Sequence, residues 1–322
     1  YSNLSLASYL LQWLRCFPIE VQIKLLSSMK GTIMLEIKKY HFYFCPCTQD
    51  LYGDEVLDHV HQHALEVAAY LNASDKIPFE VVVKPNLLTS EVIQATYNEA
   101  NNDPECAGII TWAHTFSPSK SYIHGLQDLR KPLCQFATQY NEEIPYDTID
   151  MDFMNENQAA HGERELGHIF ARMRWNHKVI FGYWKDDKVL SELGAWQRVA
   201  IGVNESRNVR IARFADTMRN VAVTDGDKIE AEQKFGWTVD AWPVNELVPY
   251  IDAVTDAEVK ALTDEYYESY KLILDGRAPE EFRRHVEVQA AQEIGIERFL
   301  DEHGYNAFSD HFGDLGGLKE LP

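Results

Sequence analysis

Three short stretches carry side chains suited to holding a neutral, hydroxyl-rich ligand: Thr48-Gln49-Asp50-Leu51-Tyr52-Gly53, His114-Thr115-Phe116-Ser117-Pro118 and Gln135 to Gln139, the last followed by a polar run from Asp150 to His161. Amides donate to and accept from hydroxyls, and aromatic rings cover C–H faces. Taken singly, each of these residues also reads as loop capping or packing. Other candidates for chemistry are weaker. His59 and His63 lie four apart and share a helix face with Glu55 and Glu66 nearby. That face could hold a cation weakly, but a solvated, unliganded face is the favoured reading. His161 and His168 straddle two helical turns, and Glu163 and Glu165 point to different faces, so neither pair forms an acid/base couple. No G-x-G-x-x-G follows the first strand, and no phosphate loop, G-x-S-x-G or H-E-x-x-H is present. The sequence therefore shows no complete catalytic constellation and names no catalytic residue or metal ligand.

The elements that must position these stretches follow from periodicity. Tyr40 to Cys45 reads as a strand and Asp54 to Leu71 as a helix with apolar residues at helical spacing. Phe79 to Val83 is a second strand, and Ser90 to Ala100 a helix capped by Thr89 or Ser90. Ala107 to Trp112 and Leu133 to Phe136 are further strands, followed by one helical stretch from Asn157 to Trp175. A second cycle opens near Val179-Ile180-Phe181, with strands at Val209 to Ala212 and Thr238 to Ala241. The last long helix runs from about Pro279 to Glu302, with Gly304 as its cap. Alternating strands and helices imply parallel sheets with right-handed crossovers. The fold class is thus α/β, with two Rossmann-like parallel-sheet units, residues 34–175 and 176–322. Binding loops of such sheets lie at the carboxyl ends of the strands, where all three polar stretches fall.

Composition limits the partners. Fifty acidic against 30 basic residues give a net charge of −20, which disfavours nucleic acid and anionic membrane surfaces. No apolar run approaches the roughly 20 residues of a membrane span. Five cysteines form no disulfide framework. Cys45-Pro46-Cys47 has the wrong spacing for a redox pair, and Cys106 and Cys134 read as buried small hydrophobes. A cytoplasmic compartment is expected. Residues 1–33 carry no motif and end in Lys30-Gly31-Thr32-Ile33 before Met34. They read as a non-native extension translated from upstream DNA, the other reading being a genuine N-terminal helix.

From Met34 onward the chain resembles the L-arabinose isomerase family. The stretches that carry the resemblance are Gln49-Asp50-Leu51-Tyr52-Gly53, Cys106-Ala107-Gly108 with Trp112 to Pro118, Ile149 to Asn155, Gln158-Ala159-Ala160-His161-Gly162, and Val221 to Lys228. The resemblance implies interconversion of L-arabinose and L-ribulose, with D-galactose to D-tagatose as a side activity. In that chemistry two carboxylates move a proton between C1 and C2 through an enediol, and a divalent ion, usually manganese, polarises the oxygens. It also implies a three-domain subunit and a hexamer with active sites between subunits. Carried over by motif, Gln49, Leu51 and Tyr52 look like walls of the sugar pocket. Phe116, Gln158 and His161 look like residues contributed by a neighbouring subunit, and Met218 and Phe312 like apolar lining. The metal ligands and catalytic glutamates are expected beyond Pro322, the third domain is expected to be missing, and this chain alone is expected to be inactive. One departure is that Cys47-Thr48 stands where the family usually has Gly-Ser, which bears on where Gln49 sits. Two other readings remain: a non-catalytic sugar-binding α/β module, and a related isomerase acting on a sugar such as fucose.

Overall fold

The structure, a computed structural model, describes residues 40–319. The expected extension at 1–33 lies outside the described residues. The chain divides into two units, with the boundary between Arg207 and Asn208.

In the first unit five parallel strands lie in the order β2-β1-β3-β4-β5. They are β1 (His41–Cys47), β2 (Glu80–Val83), β3 (Cys106–Ala113), β4 (Leu133–Ala137) and β5 (Lys178–Phe181). β1 and β3 are almost entirely buried, as central strands covered on both faces must be, which is why they read as unbroken apolar runs. Alternate side chains serve opposite faces. Phe42 and Phe44 of β1 join a core with α1 (Asp54–Ala73) and α6 (Asp187–Ser206), whose Ala64, Val67, Leu71, Leu193 and Trp196 meet there. Tyr43, Cys45 and Cys47 join the other core, with α2 (Ser90–Asn102), α3 (Ile123–Asp128) and α5 (Ala159–Met173). The Thr89 hydroxyl caps α2 by accepting from the Val92 N–H.

One expectation needs correction. The division near residue 175 fails because β5 pairs with β4 in the first sheet and α6 covers the same face as α1. A strand followed by a helix reads alike whether it opens a unit or closes one, since periodicity gives an element's type and not its partner. Two helices fall here: α4 (Met151–Glu156), which the periodicity did not announce, and α5, which is the helix expected from Asn157 to Trp175. Asn157 ends the first by donating from its side chain to the Phe153 carbonyl.

The second unit holds three parallel strands in the order β7-β6-β8. They are β6 (Arg210–Phe214), β7 (Thr238–Trp242) and β8 (Ala307–Ser309). The helices are α7 (Lys228–Phe235), α8 (Val248–Asp252), α9 (Asp256–Ser269) and α10 (Pro279–His303). Thr255 and Glu258 form a reciprocal capping box at the start of α9. Pro279 opens α10, and Gly304 closes it in the left-handed conformation. Its core joins Ala212 and Phe214 to Val244, Leu247, Ile296, Phe299 and Tyr305. Among the described residues no helix is long and apolar enough to cross a membrane.

Candidate functional site

In the order β2-β1-β3, the chain leaves β1 toward one side of the sheet and returns to the other. The crevice outside the carboxyl ends of β1 and β3 is where such sheets bind ligands. Two of the polar stretches leave these strand ends, and the fully buried hydroxyls of Thr48 and Thr115 tie them together, Thr115 donating to Thr48 at 2.6 Å. Cys47 and Thr48 are absent from the positive-φ residues, and Gln49 is extended at φ −144°. A glycine is therefore not required at this turn, and the departure noted in the sequence distorts nothing here. Asp50–Tyr52 form a 3-10 turn that presents Leu51, 81% exposed, to solvent.

The structure brings Phe116, Gln158 and His161 together. The Phe116 and His161 rings meet at 4.4 Å, and His161 Nδ1 lies 3.3 Å from Gln158 Oε1. The break between α4 and α5 makes this possible, since it sets Gln158 at the N-cap and His161 on the first turn of α5. Met218 and Phe312 belong to the second unit. Met218 lines a pocket of about 440 Å³ with Arg213, Trp237 and His311, and Phe312 is exposed. Chemically, Gln158, His161 and the Phe116 ring can bind hydroxyls and cover a C–H face.

On the inner face of α5 lies Glu163, which is buried. Its Oε1 accepts from the Ala113 N–H at 2.7 Å, and its Oε2 accepts from the Gln135 amide at 2.5 Å. Burial outweighs these two donors and pushes the carboxyl up to about 8. Glu163 thus joins the start of α5 to the ends of β3 and β4. It borders an apolar groove of about 940 Å³ lined by Ile149, Phe153, Met154 and Phe181.

A second cluster was not legible in the sequence. His63, on α1, places Nδ1 2.7 Å from Nε2 of His114, which follows β3. Glu156, the last residue of α4, holds Oε1 3.9 Å from His63 Nδ1 and 3.5 Å from His59 Nδ1. The expected solvated face is therefore half right. His59 is largely exposed, but His63 is half-buried and stacks on Tyr140 at 3.7 Å. Glu66 bonds the Tyr140 hydroxyl instead of a histidine. His114 is fully buried and stacks on Trp112. Burial lowers the pKa of His63 and takes His114 down to about 3, because a charged imidazole loses its hydration there. The cluster joins positions up to 97 residues apart (59 to 156), so no local spacing could announce it.

The four cysteines among the described residues behave as small hydrophobes. Cys45, Cys47, Cys106 and Cys134 are buried free thiols, and burial pushes Cys47 up to about 12.

Two families match in succession. Residues 36–208 match the L-arabinose isomerase N-terminal domain and residues 210–322 the L-arabinose isomerase central domain. The junction falls where the structure divides. An L-arabinose isomerase of Oceanobacillus iheyensis is 48% identical over 289 residues, covering 90% of this chain and 61% of that protein. L-arabinose isomerase 2 of Bacillus licheniformis matches to the same extent. The Salmonella enteritidis L-arabinose isomerase is 47% identical over 283 residues, covering 88% of this chain and 57% of that protein. The chain thus spans about three fifths of the length of these relatives.

Proposed function

The chain belongs to the L-arabinose isomerase family, and on that premise we propose that it supplies sugar-pocket walls to an enzyme interconverting L-arabinose and L-ribulose, with D-galactose to D-tagatose as a side reaction. The observation that carries this reading is the convergence of Phe116, Gln158 and His161 at the carboxyl end of the sheet. A neutral polyol needs amide, imidazole and ring contacts there rather than a charged clamp.

In this reading Gln49, Leu51 and Tyr52 face the sugar from the loop after β1, and Met218 and Phe312 add apolar lining. Phe116, Gln158 and His161 serve the site of a neighbouring subunit in a hexamer. The proposed compartment is the cytoplasm, in keeping with buried free thiols at Cys45, Cys47, Cys106 and Cys134. Manganese is the proposed cofactor. Among the described residues one group of side chains has metal-binding spacing, His63 with His114 and Glu156. It offers two imidazole nitrogens and a single carboxylate, which suits zinc, cobalt or nickel better than oxygen-seeking manganese. It does not fit that cofactor. We place the manganese ligands and the acid/base carboxylates outside residues 40–319. By itself the chain should then give no ketose from L-arabinose with added manganese.

The test puts residues 34–322 in place of the corresponding part of the Oceanobacillus iheyensis protein. The folded chimaera should convert L-arabinose to L-ribulose with manganese. His161→Ala within it should lower kcat/KM roughly tenfold or more, the effect of losing about 1.4 kcal/mol of transition-state stabilisation. A folded chimaera that acts on another aldose and leaves arabinose untouched would overturn the assignment.

A further inference from the structure

We propose that His63, His114 and Glu156, with His59 at the rim, form a divalent-cation site selective for zinc-class ions, which fastens the segment between β4 and α5 to the rest of the sheet. The inference is independent of the sugar chemistry.

Four donors from three distant parts of the chain converge. His59 and His63 occupy successive turns of α1, His114 follows β3, and Glu156 ends α4. The donor atoms of His63, His114 and Glu156 all lie within 4.8 Å of one another. A tetrahedral ion with bonds of about 2.0–2.1 Å holds its ligands roughly 3.4 Å apart. The observed 2.7 Å between imidazoles and 3.9 Å from His63 to the carboxylate lie on either side of that distance. An ion entering would part the rings slightly and draw Glu156 inward. The carboxylate is partly exposed and ends a six-residue helix, so its side chain has a short way to turn.

Charge and hydrogen bonding point the same way. Glu156 has no lysine or arginine partner among the described residues, and its separations from His59 and His63 are too long for hydrogen bonds. What faces it are the ring nitrogens of His59 and His63. The rings are also pre-aimed. Tyr140 stacks flat on His63, and Trp112 stacks on His114. Tyr140 is itself held because the Trp184 indole donates to its carbonyl at 2.9 Å.

The proton count balances without loss to solvent. The 2.7 Å contact holds one shared proton, on His114 Nε2 or on His63 Nδ1. When an ion takes both nitrogens, the ring that held that proton carries it on its other nitrogen instead. For His114 that atom is Nδ1, a buried nitrogen without a hydrogen-bond partner. Each imidazole keeps one proton and the carboxylate none.

A bound ion would tie α1, the end of β3 and α4 together immediately before Gln158. The whole, tag-free chain should be titrated with Co²⁺. A visible absorption band of low-symmetry cobalt should appear at one ion per chain and vanish when Zn²⁺ is added. Glu156→Gln and His63→Ala should each weaken Zn²⁺ binding at least tenfold, roughly 1.4 kcal/mol. His168→Ala, on an exposed face of α5, should leave it unchanged. Zn²⁺ should also raise the melting temperature of the wild type and not that of Glu156→Gln. Glu156→Gln is nearly isosteric at a partly exposed position and is expected to fold, so it remains decisive if His63→Ala does not. Absence of a cobalt band, or equal Zn²⁺ affinity in wild type and Glu156→Gln, overturns the proposal.

Discussion

Glu163 shows how one side chain can set the pH response of this unit. Its carboxyl titrates near 8 in the folded chain against 4.5 for an ordinary glutamate. Between those values the folded state holds a proton that the unfolded state has released, so stability falls as pH rises. The contribution is fully present below about 4.5 and is lost as pH passes 8, a change of at most a few kcal/mol. Glu163→Gln carries no titratable group and keeps the shape, although the Gln135 amide must turn to accept from it. Urea unfolding at pH 5 and pH 9 should show a smaller drop for the variant than for the wild type. An identical drop in both proteins would mean that the slope arises elsewhere. Little of this was readable in the sequence. The spacing of His59 and His63 gave a shared face, and the ordered motifs gave Gln49, Phe116, Gln158 and His161. Neither could give the burial of Glu163 or the approach of His114 and Glu156, because those depend on which elements lie beside one another.

At the level of elements, the boldest periodic signals held. Helix α1 begins at Asp54 as its spacing predicts, Thr89 caps α2, and Pro279 and Gly304 bracket α10. What failed was assignment between units and the short elements. The three residues of β8 carry no alternation to read, and β5 looked like a beginning when it was an edge. The packing of α6 is equally invisible in sequence, and Gly194 shows why. A Cβ built there would stand 2.0 Å from the Lys76 carbonyl oxygen. Helix α6 therefore lies against the turn after α1 at a distance that only glycine permits. In an isolated helix Gly194→Ala would gain up to about 1 kcal/mol. Here backbone meets backbone, no flexible side chain can yield, and overpacking should cost about 1–3 kcal/mol or more. Gly202→Ala, on the same helix with nothing within 4 Å of its Cβ, is the control and should be neutral or stabilising. Equal stability of the two variants in urea would show that α6 adjusts freely.

At the scale of the molecule, the two units differ in how completely they bury their sheets. The first has a core on each face of five strands, and β1 and β3 are sealed between them. A parallel sheet needs such cover, since its strands are apolar on both sides. The second has one compact core on three strands, and every residue of β7 is partly or fully accessible. Around it Val223, Ile229, Ile273 and Phe312 are exposed within that unit by 66–93%. An exposed apolar surface of that kind favours association over solubility. Residues 38–207 produced alone should therefore melt in a single cooperative transition, as single domains of this size usually do. They should also keep the Co²⁺ band, because all four proposed ligands lie within them. Residues 208–322 alone should melt lower or aggregate, and calorimetry with sedimentation separates those outcomes from a stable monomer. If residues 38–207 were molten while residues 208–322 folded cooperatively, burial would have ranked the units wrongly.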